Sequence, residues 1–566
     1  MRIKNFTTKS GSSITPTALT ILVGPNNVGK SRTLRDLRDL IVSPTPPTTL
    51  ISHISIEKPA AFDELLEGMH VIPSPMAGQQ SISGIGSDLK GAHGAQLDLD
   101  RFRKIHDAST DGSYIRGIFG QYCVAYLNAD SRLSVSEPTE ATDVHQGSPG
   151  NLPNLLYREG KNPEDKLRAA FKRTFGTDIR LDYSGLRKLY FRIAREFPEI
   201  SPDPREAQPV MRNLASLHEQ GDGFRSFVGA VLPILLLPNR LVLLDEPEAF
   251  LHPAQARALG QWIAEQTRDR VGQIIVATHN ANFLSGALSV GSHTTVIRLN
   301  RDQDKTTFLP IDKTTTDRFA KSPILSSQRV IEAIFHRGAV VCEADADRSF
   351  YQAATEKCFP DQNLLFVHAH NKQAIKDVIT ACRCSGVPTV AIADIDLLNS
   401  ADELEKLIQA QDPNVDPASL IALQKKVFAA VSGTSEAEII KAAQPALRDL
   451  IAEIDKGEHT LAGLRGALNR ISKSLGSWSK IKEEGLAGFP DSVRPDAKDL
   501  IANLAAIGIY VVPVGELEQW IPLQVHKKRW VVEALQLVSD GNIPPALIEF
   551  LGAIRERFPR EAAPKP

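Results

Sequence analysis

The chain is poor in cysteine and has no long apolar run. Its five cysteines, Cys123, Cys342, Cys358, Cys382 and Cys384, are odd in number and irregularly spaced. That pattern does not build a disulfide framework. Cys382-Arg383-Cys384 lacks zinc-knuckle spacing, and no second pair completes a site. The thiols therefore read as reduced, cytosolic and mostly buried. No stretch reaches the roughly 18 apolar residues that a membrane-spanning helix needs. The best run, Val228 to Leu237, is too short, and MRIKNFTTKS at the start has no apolar signal-peptide core. A cytoplasmic chain with no membrane span is expected. Neither sign of charge is in excess, because the net charge is −2. Any nucleic-acid contact must then come from local patches. No internal repeat is evident.

What is present is ample for several packed cores. With 566 residues, 42% hydrophobic and 23% charged, the chain reads as soluble and globular. Residues 1 to about 45 and 205 to 300 alternate short apolar strands with turn residues and helical patterns, which argues for α/β layers. Between them, residues 45–125 are rich in Pro, Ser and Gly and read as a loop-rich insertion. Residues 150–210 read as a helical arm or dimerisation segment. There KLRAAFKRTF and YSGLRKLYFRIAREF have helical spacing and excess positive charge, which suits either a solvated helix face or a DNA-facing arm. A first domain over 1–320 and a second α/β domain over 321–566 are expected. The second carries an inserted helical block at about 401–490.

GPNNVGKS, Gly24 to Ser31, fits G-x-x-x-x-G-K-[ST] between a strand and a helix. Gly24, Pro25, Asn26, Asn27, Val28 and Gly29 would wrap backbone N–H groups around phosphate oxygens. Lys30 brings a positive charge to the terminal phosphates, and Ser31 a hydroxyl to Mg²⁺. In NRLVLLDEPEAFLHP an apolar strand ends in Asp245, placed to hold Mg²⁺, and Glu246, placed to orient and deprotonate a water. In QIIVATHN a third strand ends at His279, which could reach the γ-phosphate.

A second set of acids sits further on. VVCEADADRSFY puts Glu343 at a strand end, with Asp345 and Asp347 in the turn, and TVAIADIDLL puts Asp394 and Asp396 at another. Parallel strands present their C-terminal ends on one edge, so Glu343, Asp394 and Asp396 can converge and offer hard oxygen ligands to Mg²⁺ or Mn²⁺. The alternative is that strand-end acids are solvated, or cap helices as Asp347 could. HAHNK, His368 to Lys372, is either a metal or phosphate contact or a loop capped by Asn371.

GPNNVGKS, LLDEPEAFLHP and VATHN resemble the ABC-type ATPase heads of the structural-maintenance, RecF and OLD (overcoming lysogenization defect) families. YLNADSRL, Tyr126 to Leu133, resembles a segment of OLD-type heads. In those families a signature motif of one head completes the ATP site of another. Here the candidate is Gly221, Asp222, Gly223 and Ser226, ahead of a helix and unlike the common Leu-Ser-Gly-Gly-Gln form. That implies a dimer or larger assembly. Strand, glutamate, helix, then Asp-x-Asp resembles the TOPRIM fold, with Ala344 where glycine is usual. The order of modules resembles OLD-family endonucleases, including Gabija-like and retron-associated anti-phage nucleases. The resemblance implies Glu343, Asp347, Asp394 and Asp396 as metal ligands and Glu518 as another, with Glu516 its rival. It also implies a catalytic lysine, for which Lys482 is preferred to Lys480.

The expected architecture is thus an ABC-type P-loop ATPase head with a helical insertion, followed by a TOPRIM α/β domain with its own helical insertion. The expected activity is ATP-regulated, metal-dependent cutting of DNA, with ATP and Mg²⁺ as cofactors and Mn²⁺ an option at the nuclease site. An accessory helicase or reverse transcriptase would suit such a system. The competing readings are an RNA- or tRNA-cleaving toxin and a RecF-like DNA-binding scaffold with an inert second domain.

Overall fold

Short apolar runs bounded by turn residues form the parallel strands of both sheets in the computed structural model. It describes all residues except 77, 144–146, 269, 292–293, 304, 323–324, 326, 361–363, 370, 434–435, 457–459, 475–477 and 559–566. His370 of HAHNK therefore lies outside the described residues. The chain divides into two units, Met1–Phe335 and His336–Pro566. Helix Gln328–Glu332, expected to open the second domain, thus belongs to the first.

The main sheet of the first unit has six strands. Their order is Lys305–Ile311, Thr294–Asp302, Leu19–Val23, Ile274–Ala277, Leu241–Asp245 and Val124–Leu127. All pair in parallel except the Lys305–Ile311 edge. Leu19–Val23 and Ile274–Ala277 are buried along their whole length. A sheet covered on both faces needs such continuous apolar runs rather than alternation. Leu22, Leu34, Ile41, Leu243, Ile275 and Ile297 share one core, each a side chain whose burial stabilises by roughly 1.5–3 kcal/mol.

Two expectations for this unit are corrected. The 45–125 stretch is not mainly loop. Ile51–Ile56 pairs with Ile3–Thr8, and His70–Pro73, Gln80–Ile85 and Ala92–Leu97 form an antiparallel meander followed by helix Leu99–Ala108. The Gly and Ser residues there punctuate short strands rather than replace them. The 150–210 arm is only partly helical. Lys161–Phe175 is a helix, but Lys188–Ala194 is a strand paired antiparallel with Asp178–Asp182. Leu189, Phe191 and Ile193 are buried at alternate positions, so KLYFRIA has the period of two of a strand.

The second unit is built on four parallel strands in the order Leu365–His368, Ala339–Cys342, Thr389–Ala393 and Ile509–Val511. Val340, Phe350, Ile392, Val512, Trp520 and Trp530 fill its core. Between the third and fourth strands lie Ala401–Gln411, Ala418–Ser432, Glu436–Asp455, Leu461–Ser474 and Ser479–Glu484, all helices, as expected for the inserted block. Among the described residues no helix is long and apolar enough to cross a membrane.

Candidate functional site

The GPNNVGKS loop joins strand Leu19–Val23 to helix Lys30–Val42. Gly24 has φ +134° and Gly29 φ +102°, conformations that L side chains rarely adopt. A Cβ on Gly24 would also lie 2.3 Å from the Leu299 carbonyl oxygen, so both space and backbone demand glycine there. Lys30 Nζ donates to the carbonyls of Gly24 (2.7 Å) and Pro25 (2.8 Å), which aims its charge into the loop. Burial pushes the Lys30 ammonium down to about 8, and the acids Glu246, Glu248 and Asp245 act against that.

Strand Leu241–Asp245 delivers the acids. Ser31 Oγ donates to Asp245 Oδ1 at 2.8 Å, and Tyr126 Oη to Oδ2 at 3.3 Å. Burial pushes the Asp245 carboxyl up, and the Ser31 bond opposes it. A hydroxyl and a carboxylate side by side at a phosphate loop fit the oxygen-donor chemistry of Mg²⁺. Glu246 turns into the left-handed region at φ +50°, a strained conformation for glutamate. Its backbone N–H donates to Ala277 O at 2.8 Å, and Arg132 Nη2 donates to its carbonyl at 2.7 Å. The turned side chain meets His279, whose Nδ1 lies 3.0 Å from Glu246 Oε1. That hydrogen bond raises the pKa of His279 and lowers that of Glu246, so both charged forms are favoured.

Three groups here were not singled out from sequence. Arg132 is fully buried and also donates to Asp245 O (2.6 Å) and to Ser226 Oγ (3.1 Å). It clamps the backbone that carries both acids. Tyr126 and Arg132 belong to YLNADSRL, whose likeness to OLD-type heads was the available signal. Glu248 is buried, accepts from Thr278 Oγ1 at 2.5 Å, and leaves Oε2 without a hydrogen-bond partner among the described residues. In the signature candidate, Gly221, Asp222 and Gly223 stand at the start of helix Asp222–Leu236 with Gly221 and Asp222 exposed. Ser226 is different: it is fully buried against Arg132, so it does not face outward for a phosphate.

The acidic residues of the second unit lie where parallel pairing puts strand C-termini. Glu343 follows Ala339–Cys342, and Asp394 follows Thr389–Ala393. Asp394 is pushed up to about 8 by burial, then by the charges of Asp347, Glu343, Asp396 and Glu516. Glu343 is also raised, by burial and then by Asp396 and Asp347. Although burial acts to raise Asp396, hydrogen bonds and charge from Lys482 and Lys372 hold it below the usual carboxylate range. Lys482 Nζ stands 2.9 Å from Asp396 Oδ2 and 3.6 Å from Glu516 Oε1. Lys372 Nζ spans Asp396 Oδ1 (3.2 Å) and Glu403 Oε2 (3.1 Å).

Of the two glutamates in GELEQW, Glu516 reaches this cluster, and Glu518 lies on the following turn Leu517–Trp520. Asp347 Oδ2 accepts from the Ala344 N–H at 2.9 Å, the helix-capping role held open for it. Lys480 pairs at 3.9 Å with Glu484 on its own helix rather than with the cluster. Asn371 caps the turn Lys372–Ala374. Among the described residues no three His, Cys, Asp or Glu side chains are already gathered as a metal-holding group. The donor chemistry of the edge still suits a hard cation, because Asp347, Glu343, Asp396 and Glu516 beside Asp394 offer carboxylate oxygens.

Residues 135–285 match the family described as "AAA domain, putative AbiEii toxin, Type IV TA system". No curated protein matches the chain. Among solved structures, the SMC head domain from Thermotoga maritima aligns at 15% identity, over 55% of this chain and 100% of that one, with a TM-score of 0.30. An Smc head with an extended coiled coil from Pyrococcus furiosus, bound to the C-terminal domain of ScpA, aligns at 10% identity. It covers 55% of this chain and 96% of that one, with a TM-score of 0.30. Alignments at those scores carry no functional weight. The family match and the phosphate-loop geometry together support an ABC-type P-loop ATPase head in the first unit.

Proposed function

We propose that the chain is an ATP-regulated, divalent-metal-dependent endonuclease that cuts DNA phosphodiester bonds. The observation that carries the proposal is the edge itself: Glu343 and Asp394 close the neighbouring parallel strands Ala339–Cys342 and Thr389–Ala393, beside Asp396, which pairs with Lys482 and Lys372. Burial, and then the charges of Asp347, Glu343, Asp396 and Glu516, raise the Asp394 carboxyl to about 8, so its charged form lacks compensation at this edge until a cation joins it. A divalent cation is the chemistry that resolves such an edge. Glu343, Asp394 and Asp396 would hold it, with Asp347 and Glu516 beside them. The ion would supply a Lewis acid for water activation and for the leaving oxygen. Lys482, already within 2.9 Å of Asp396, would move onto a phosphate oxygen of the substrate.

In the first unit, ATP would sit on Gly24–Ser31, with Mg²⁺ at Ser31 and Asp245. Glu246, fixed by Arg132 and paired with His279, would orient and deprotonate the attacking water. The segment at Gly221 and Asp222, both exposed, is the face proposed to meet a second head, giving a dimer or larger assembly. A role in anti-phage defence belongs to this reading as well.

An RNA-cleaving toxin is the second reading, favoured by the toxin named in the matched family's description. Purified protein with Mg²⁺ or Mn²⁺, given supercoiled plasmid and total tRNA in parallel, separates them. Nicked plasmid is the expected result; cleaved tRNA beside intact plasmid would replace the DNA reading with the toxin reading.

A further inference from the structure

One cavity of the first unit lies away from the phosphate loop. It encloses about 690 Å³. Arg240 immediately precedes strand Leu241–Asp245, and Tyr122 and Cys123 precede Val124–Leu127, so the cavity sits at strand N-termini. The phosphate loop is at the opposite, C-terminal ends of the same sheet.

Its charge is unevenly placed. Arg240 and Arg270 form part of the wall, and each is only 7% exposed. Arg240 donates to the Ile85 carbonyl at 2.8 Å. Arg270 donates to the carbonyls of Ile234 (2.5 Å) and Leu237 (2.6 Å), and its buried Nε has no hydrogen-bond partner among the described residues. Among the described residues no carboxylate pairs with either guanidinium, and burial pushes both down to about 10. Arg2 and Lys58 add two more cations to the same wall. The acids Glu57, Glu64 and Glu67 also line it but are exposed, where water screens them. Leu65 and Tyr122 give an apolar side.

Two buried guanidiniums without an acidic partner are costly unless an anion offsets them. Guanidinium is also the side-chain group best matched to a phosphate's oxygens. We propose that this cavity is a second ligand site, which takes a phosphorylated small molecule of mononucleotide size. The phosphate lies toward Arg240 and Arg270, and the apolar body against Leu65 and Tyr122.

AMP is the probe, titrated calorimetrically into full-length Lys30→Ala protein so that the phosphate loop does not contribute. Saturable one-to-one binding is expected. It should weaken about tenfold or more on adding Lys58→Glu or Arg240→Met, the size of a lost charge-assisted contact. Lys58 is half-buried, with its ammonium on the Ser109 carbonyl at 2.9 Å, so its variant remains informative if Arg240→Met does not fold. Absence of AMP binding, or binding unchanged by Lys58→Glu, would overturn the proposal. Binding of a 5′-phosphorylated oligonucleotide in place of AMP would overturn it too. Loss of plasmid nicking elsewhere in the chain leaves this result untouched.

Discussion

Lys30 holds two loop carbonyls with the ammonium that a nucleotide would otherwise claim. Replacing it by alanine should lower ATP turnover by about a hundredfold or more, because Lys30 is the cation that the Gly24–Ser31 segment itself carries. A colorimetric phosphate assay reads this, and retained turnover would refute the assignment. Asp394 gives a test of sign. Its folded pKa is raised to about 8 from an ordinary 3.8. Between those values the folded protein keeps a proton that the unfolded chain releases, so this group's stabilising contribution falls as pH rises through the window. In metal-free buffer, Asp394→Asn should therefore melt several degrees higher than the parent near pH 8, with the advantage shrinking toward pH 4. An equal shift at both pH values would contradict the buried-carboxyl account. Sequence located Lys30 and Asp394 because each closes a local pattern of strand and turn. Arg132, inside YLNADSRL, and Lys372, at the end of HAHNK, were not given these roles, because their partners are far along the chain: Asp245 and Glu246 for one, Asp396 and Glu403 for the other.

Helix Asp222–Leu236 shows why element-level rules need tertiary context. Gly229 sits in its interior, where alanine is ordinarily favoured by about 1 kcal/mol. A Cβ there would lie 2.2 Å from the Arg132 carbonyl oxygen. Gly229→Ala should therefore destabilise, by about 1–3 kcal/mol, and also slow ATP turnover by displacing the Arg132 clamp. Thermal melting beside the phosphate assay checks both, and a stabilised variant would show that the helices can part at no cost. The same lesson explains the misread arm. Helical spacing was seen in YSGLRKLYFRIAREF, yet Leu189, Phe191 and Ile193 alternate inward and pair with the Asp178–Asp182 strand. Pairing partners are invisible in one segment read alone. The parallel strands were easier, because burial on both faces makes each an unbroken apolar run.

At the scale of the chain, the strand-end positions of Glu343 and Asp394 were legible, since parallel topology puts strand C-termini on one edge. Lys482 was selected through family resemblance, and it stands against Asp396. Glu518 was preferred by the same route, whereas Glu516 is the residue beside Lys482. Only Leu517 separates the two, and sequence does not say which side chain faces the edge. The central claim joins the edge to an ATPase head as one controlled nuclease. Its most direct test is the nicking rate of supercoiled plasmid in Mn²⁺ by the Asp394→Ala/Asp396→Ala protein, in a preparation whose ATP turnover matches the parent. The account predicts that nicking disappears while turnover persists; nicking at the parental rate would contradict it.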